Sequence, residues 1–282
     1  MRILIIGGTS AVGRSLKMAL SKSFQIVTAG RTGCDIILDL KNPVNKYHLP
    51  KGFDVIIHTA AQFGIHTDEE ILETEDVNVL GTLKLCQAAV QSKVGHLIYI
   101  SSIFSTAGVN SVNYNFYSLS KKQAEEVATL YCSKHQVPLT ILRPSQLYGN
   151  DAAFKVHQPF LYSMIEKAAN GEDIILYGNN DPVRNYLYIE DLVEIIARVV
   201  VDKIEGNYSC SYTSDITYSQ IAKTAFETFN RGGIVYFLND KPDIPSFTFD
   251  KDHSLYEKIN FYPLISVEEG LKRFANKRVS NS

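Results

Sequence analysis

No apolar run in this sequence reaches the ~18–20 residues that a bilayer-spanning helix needs. A secretory pattern is also missing: the first apolar segment is only Ile3–Ile6 before Gly7-Gly8, against an h-region of roughly 7–15 residues. Cysteine is sparse. Cys34, Cys86, Cys132 and Cys210 stand far apart with no CxxC pair, which excludes a dense disulfide framework and an evident zinc site. Neither sign of charge dominates. The 28 Lys+Arg against 30 Asp+Glu give a formal net charge of −2, so there is no global electrostatic footprint for nucleic acid. These absences predict a cytoplasmic protein with no metal, membrane or nucleic-acid partner. No internal repeat or low-complexity linker breaks the 282 residues, 45% of them hydrophobic, which suffice for one large domain or two unequal ones.

Short apolar runs alternate with longer helical patterns through about the first 150 residues. Strands are predicted at Ile3–Ile6, Phe24–Thr28, Ile36–Leu38, Asp54–His58, His96–Ile100 and Leu139–Leu142. Helices are predicted over about Ala11–Ser21, Glu69–Ser92 and Phe116–Lys134. This alternation predicts an α/β fold: a Rossmann-type doubly wound parallel sheet covered on both faces. Beyond Gly149 the pattern loosens, with helices predicted near His157–Asn170, Ile189–Val201, Ser219–Phe229 and Val267–Ala275. The expected division is residues 1–149, with about 183–205, for the nucleotide-binding domain. About 150–182 and 206–282 would form a smaller C-terminal α/β lobe.

Gly7-Gly8-Thr9-Ser10-Ala11-Val12-Gly13 joins the first strand to the first helix. A dinucleotide turn needs a tight bend, close backbone approach to the pyrophosphate, and a glycine where helix meets strand. Gly7 and Gly13 occupy the outer glycine positions of a GxxGxxG loop, and Ser10 replaces the middle one. Ser10 can act as a helix N-cap or as a phosphate contact. An ordinary glycine-rich turn fits the loop alone. The second strand ends at Ala29-Gly30-Arg31, where an NAD site usually has an acidic residue; an arginine suits the 2′-phosphate of NADP. Asp39-Leu40 fits either a flank for adenine or, at Asp39, a helix cap.

Tyr117 and Lys121 are four residues apart and share one helical face. A nearby ammonium favours a phenolate, which lets tyrosine exchange a proton near neutral pH. Ser101-Ser102 follow the fifth strand, at the sheet end where ligands bind. YxxxK alone is a weak signal. With the glycine-rich turn and a serine at a strand end it becomes a candidate catalytic set: Ser102, Tyr117 and Lys121.

With these residues in place, the chain resembles an extended short-chain dehydrogenase/reductase of the nucleotide-sugar epimerase/dehydratase/reductase group, over essentially its whole length. Ile57-His58-Thr59-Ala60-Ala61 resembles the family's strand ending over the pyrophosphate. Asn78-Val79-Leu80-Gly81-Thr82 matches its helix motif, and Leu142-Arg143-Pro144 through Tyr148-Gly149 its segment beside the nicotinamide. Val183-Arg184-Asn185-Tyr186 through Ile189-Glu190-Asp191-Leu192, Phe261-Tyr262-Pro263 and Val267–Leu271 follow its C-terminal pattern. The resemblance implies cofactor contacts from Gly7, Thr9, Ser10, Ala11, Val12, Gly13, Arg31, Asp39, Leu40, Ala60, Ala61, Asn78, Tyr117, Lys121, Arg143 and Pro144. It implies substrate contacts from Ser102, Ser145 and Arg184, the last on the sugar-nucleotide diphosphate. It also implies a nucleotide-sugar-binding second lobe, a role in polysaccharide biosynthesis, and a homodimer through the helices near Glu69–Ser92 and Phe116–Lys134.

Departures narrow the activity. Ile103-Phe104 stand where related dehydratases carry an Asp-Glu pair, and where fucose-synthase-like enzymes carry a cysteine. Glu190-Asp191 reads as a helix N-terminus and not as a catalytic carboxylate site. The role of Gln146, where relatives often have asparagine, is left open. His58 is expected to serve structure or cofactor packing; His66 and His96 have no evident partner; Cys86 and Cys132 are expected to pack as small apolar groups. The expectation is an NADPH-dependent reductase of a keto group, C4 by resemblance, on a nucleotide-activated 6-deoxy sugar. The alternatives are an NAD(P)-dependent nucleotide-sugar 4-epimerase and, further off, a non-catalytic NADP-sensing protein.

Overall fold

A computed structural model describes residues 1–47 and 49–281. The first stretch of chain forms β1 (Arg2–Ile6), α1 (Ala11–Leu20), β2 (Gln25–Gly30), β3 (Ile36–Ile37), β4 (Val55–His58), α2 (Asp68–Glu75), α3 (Gly81–Ser92), β5 (His96–Ile100), α4 (Phe116–His135) and β6 (Leu139–Pro144). There follow β7 (Gln146–Tyr148), α5 (Ala153–His157), α6 (Pro159–Asn170), β8 (Ile174–Tyr177), β9 (Val183–Arg184), β10 (Tyr186–Tyr188), α7 (Ile189–Asp202) and β11 (Gly206–Cys210). The chain ends with β12 (Ile216–Thr217), α8 (Tyr218–Phe229), β13 (Val235–Leu238), α9 (Ser254–Lys258) and α10 (Val267–Asn281). None of the described helices is long and apolar enough to cross a membrane.

The chain divides into two compact units. The first comprises Met1–Pro144, Val193–Cys210 and His253–Asn260. Its seven strands are all parallel, in the order β3-β2-β1-β4-β5-β6-β11. This is the doubly wound sheet expected from the sequence. Ile3, Leu4, Ile5, Ile56 and Ile57 are fully buried, as strands covered on both faces must be. The order reverses between β1 and β4, which places a ligand crevice beyond the carboxyl ends of those two strands.

Four details differ from the sequence-based expectation. β11 was expected in the smaller lobe, yet it is the seventh strand of the main sheet. Its sequence, Gly-Asn-Tyr-Ser-Cys, carries little apolar signal, and pairing with β6 is what buries Tyr208 and Cys210. Residues 183–192 fall in the second unit instead. The helix expected over Glu69–Ser92 is continuous but widens into a π turn at Asp76–Leu80, between α2 and α3. The helix expected from His157 starts at Pro159, because proline cannot continue a helix but suits its first turn.

The second unit comprises Ser145–Leu192, Ser211–Asp252 and the chain from Phe261. It holds three strand pairs: β7 with β10 and β8 with β13, both parallel, and β9 with β12, antiparallel. α8 packs against α6 and α10. Tyr148 is edge-on to both Tyr186 and Tyr188, and its hydroxyl donates to the Ser266 carbonyl at 3.0 Å. Glu190 and Asp191 lie in the first turn of α7, as expected; Asp191 accepts from the Leu264 and Ile265 amides at 3.1 and 2.8 Å.

The tightest backbone approach in the first unit lies where α1 meets β1. A Cβ on Gly13 would run into the Gly7 carbonyl oxygen, whereas one on Gly108 would meet nothing within 4 Å. Gly13→Ala is therefore expected to lower stability by about 1–3 kcal/mol in urea unfolding, despite alanine's better helix propensity. Gly108→Ala is the control, expected to stay within about 0.5 kcal/mol of the parent.

Candidate active site

The first unit's crevice is built on the β1–α1 turn. Gly7 has φ +85°, and a Cβ there would lie 2.7 Å from the Ala60 nitrogen and 2.8 Å from Thr59 Oγ1. Only glycine allows this turn to pass against the end of β4. Ser10 is the N-cap of α1: its Oγ accepts from the Gly13 amide at 2.9 Å and is bonded to Thr59 Oγ1 at 3.0 Å. The capping role of Ser10 is realised, and its side chain also lines the cleft. The N–H groups of the first turn, which no helix carbonyl can satisfy, and the positive end of the helix dipole point the same way.

A cleft of about 290 Å³ opens here. Of the residues expected to contact a cofactor, Gly7, Thr9, Ser10, Arg31, Asp39, Leu40, Ala60 and Ala61 line it; Ala11, Val12 and Gly13 form the helix start behind. Thr32, Leu38, Gln62 and Val77 also line it and were missed by the sequence reading, having no motif of their own. Arg31 is exposed at this cleft. Asp35, the nearest acid beyond β2, does not line it: its Oδ2 accepts from the Thr28 amide and hydroxyl, both at 2.8 Å, which holds its carboxyl below the usual range. Asp39 faces the cleft and also accepts from the Lys41 amide at 3.0 Å, so both of its expected roles are compatible with its position. A crevice with a glycine cradle, a helix N-terminus and a cationic rim suits the phosphates of a dinucleotide.

Beyond β5, Ser102 is buried and caps a short 3₁₀ turn at Ile103–Thr106, its Oγ accepting from the Phe104 amide at 3.3 Å. Asn115 and Ser118 form a reciprocal capping box that fixes the start of α4. α4 thereby directs Tyr117 toward Ser102. Phe63 stacks on the Tyr117 ring at 4.8 Å and 20°. Burial raises the Tyr117 phenol above its usual range, with the Ser102 hydrogen bond opposing.

Lys121, one turn further, is 2% exposed. Its ammonium donates to the Tyr99 hydroxyl at 3.2 Å and the Ile100 carbonyl at 3.0 Å, and lies 4.7 Å from the Tyr99 ring centre. Burial pushes its pKa down to about 7, against the pull of the Glu125 charge. In this arrangement burial governs the Tyr117 phenol, and the Lys121 ammonium is held by Tyr99 and Ile100.

Asn78 does not line the cleft. The π turn brings its side chain inward, where Oδ1 accepts from the Gln62 amide at 2.8 Å and Nδ2 donates to the Gln62 carbonyl and Ser120 Oγ at 2.9 and 3.0 Å. It ties the loop after β4 to the helix carrying Tyr117 and Lys121. Thr82 donates to the Asn78 carbonyl at 2.6 Å and is bonded to His58 Nε2 at 3.1 Å, so His58 carries its proton on Nε2. Burial and the Lys121 charge lower the His58 pKa to about 3, which keeps it neutral and stacked on Tyr99. His96 does have a partner, Thr140 Oγ1 at 2.7 Å. Cys86 and Cys132 are buried between α3 and α4, as expected.

Arg143 was expected to face the cofactor. Its guanidinium instead forks onto Glu125, Nε to both carboxylate oxygens at 3.0 Å and Nη2 to Oε2 at 2.5 Å. Glu125 was missed, although its spacing from Tyr117 and Lys121 on one helix stripe was visible. Pro144 closes β6, paired with Cys210. In the second unit, Ser145 is buried and its Oγ has no hydrogen-bond partner. Arg184 donates to the Val183 and Pro245 carbonyls, both at 2.8 Å, with its guanidinium 4.8 Å from the Tyr218 ring centre.

Comparison with known proteins agrees with this geometry. The model of the NAD dependent epimerase/dehydratase family matches residues 3–210. The chain is 26% identical over 314 residues to the UDP-N-acetyl-alpha-D-glucosaminuronate decarboxylase of Bacillus cytotoxicus, covering 96% of this chain and 95% of that one. It is 27% identical over 291 residues to a probable UDP-glucuronate 4-epimerase of Rhizobium meliloti, covering 90% and 81%. The structure of RMD from Pseudomonas aeruginosa complexed with NADPH shares its fold, with a TM-score of 0.82 at 16% identity over 100% of this chain and 99% of that one. The chain belongs to the NAD dependent epimerase/dehydratase family and is an enzyme of that family, an NAD(P)-dependent oxidoreductase or epimerase of the nucleotide-sugar group.

Proposed function

We propose that this enzyme is an NADPH-dependent ketoreductase acting at C4 of a nucleotide-activated 6-deoxy sugar. The observation that carries the reading is Arg31 at the cleft, with Asp35 engaged by Thr28. A guanidinium complements the 2′-phosphate of NADP, and Asp35, the first acid after β2, does not line the cleft. When bound, NADPH supplies the hydride for the keto carbon. Tyr117 donates the proton to the keto oxygen, and Ser102 holds that oxygen. Lys121 holds the nicotinamide ribose and favours the phenolate left after proton transfer. The helix start at Gly7–Gly13 receives the pyrophosphate; Asp39 and Leu40 flank the adenine; Ala60 and Ala61 form the floor. Asn78 and Arg143 act through Gln62 and Glu125. Ser145, whose buried hydroxyl lacks a partner, and Arg184 are assigned to the nucleotide sugar. A cytoplasmic homodimer serving polysaccharide biosynthesis completes the reading, by family resemblance.

A 4-epimerase uses the same Ser–Tyr–Lys set, and the Rhizobium relative favours that second reading. Cofactor stoichiometry separates the two. Mixed with NADPH and a panel of nucleotide-linked 4-keto-6-deoxy sugars, the protein is expected to consume NADPH and give a product heavier by two hydrogens in mass spectrometry. An isomer formed from an ordinary UDP-, GDP- or CDP-hexose, with no net use of cofactor, would instead identify an epimerase. Tyr117→Phe is expected to lower kcat by about 10²–10⁴-fold while the Kd for NADPH, read by fluorescence titration, stays unchanged. Arg31→Ala is expected to weaken NADPH by about 10–100-fold and to leave NADH binding unaltered. Equal losses for both cofactors would remove the NADP assignment.

A further inference from the structure

We infer that Glu125 is a positioning residue of the active site: its carboxylate, forked onto Arg143, clamps the strand end and turn that carry Ser102 to the helix that carries Tyr117 and Lys121. The inference rests on the catalytic roles proposed above.

Glu125 is buried on α4, four residues beyond Lys121 and eight beyond Tyr117, on the same inward stripe. Its Oε1 accepts from Ser101 Oγ at 2.5 Å, Ser105 Oγ at 2.6 Å and Arg143 Nε at 3.0 Å. Ser101 and Ser105 bracket Ser102, one just before it and one in the turn that Ser102 caps. Arg143 comes from β6, the strand beside β5. One carboxylate thus joins the β5 end, the 3₁₀ turn, α4 and β6. An ion pair serving stability alone would need only Arg143. Two serine hydroxyls aimed at the same oxygen restrain the short segment whose central side chain must meet Tyr117.

The same charge acts on Lys121. The groups that face this ammonium are Tyr99 and the Ile100 carbonyl on β5, His58 on β4, and Glu125 on α4 itself, with Arg143 behind Glu125. His58 is neutral and Tyr99 protonated, since burial raises the Tyr99 phenol well above its usual range. Glu125 is therefore the anion that opposes the burial-driven loss of the Lys121 proton.

The test compares Glu125→Gln, Glu125→Asp and the parent full-length enzyme. The accepted 4-keto sugar of the panel is the substrate, and the ¹³Cε shift of Lys121 reports its titration. Glu125→Gln is expected to lower kcat about tenfold or more with the KM for NADPH within about threefold. It is also expected to move the Lys121 midpoint down by about one unit. Glu125→Asp should recover most of both. Should Glu125→Gln fail to fold, Ser101→Ala with Ser105→Ala keeps the Arg143 pair and is expected to show the same fall in kcat. A kcat within twofold of the parent in the folded Gln or double-serine variant would overturn the inference. A parent that reduces no panel member fails the ketoreductase reading instead. The inference then stands or falls on the Lys121 titration, where an unmoved midpoint in Glu125→Gln rejects it.

Discussion

An ammonium ion with 2% exposure has to be provided for by its surroundings, and much of the first unit around the β5–α4 junction is organised to do so. β4 pairs with β5 only as far as Tyr99, so the Ile100 carbonyl, one residue beyond, is available to Lys121. Tyr99 offers both its hydroxyl and its ring face. Tyr99 is in turn covered by the stacked His58, whose ring is fixed by Thr82. Replace any of these by a purely apolar group and the lysine loses a partner, with the desolvation cost uncompensated. The ammonium is therefore less a late addition to a finished sheet than a condition on where its strands stop.

A second constraint acts across the crevice. The β1–α1 turn and α4 are tied to the end of β4 by polar side chains. Thr59 links the end of β4 back to the Ile6 carbonyl at 2.9 Å and to Ser10. Asn78 links the loop after β4 to Ser120. A regular α-helix over Glu69–Ser92 would pair its backbone continuously; the π turn at Asp76–Leu80 gives up that regularity and places Asn78 inside. The interior position of Asn78 and the shape of the cleft are thus two consequences of one widened helical turn.

The sequence made the sheet legible because its inner strands are apolar on both faces, and because Gly7, Gly13, Tyr117 and Lys121 carry constraints that few other residues meet. β11 was illegible for the opposite reason: Gly-Asn-Tyr-Ser-Cys becomes a strand only by pairing with β6. Asn78 and Arg143 were singled out as cofactor contacts by motif position, which does not say where their side chains bond. Where their hydrogen bonds end, on Gln62 and Ser120 or on Glu125, depends on residues 16, 42 and 18 positions away, and no local pattern encodes that. Ser10 shows the complementary case, since its loss of the middle glycine is understood once Thr59 and the Gly13 amide are seen to engage its hydroxyl.

The turn after Ser102 narrows the chemistry by what it buries. Ile103 is 2% exposed, so an acidic side chain in its place would lose its hydration within the fold and need a partner there. Arg143, on the neighbouring strand, is already forked onto Glu125. The buried carboxylate behind the serine is Glu125 on α4, engaged by Ser101, Ser105 and Arg143. What remains beside Ser102 is a phenol and an ammonium, a set suited to moving one proton on and off an oxygen. Reduction and epimerisation share that step. The difference between them is whether the cofactor leaves after one transfer or stays to take the hydride back.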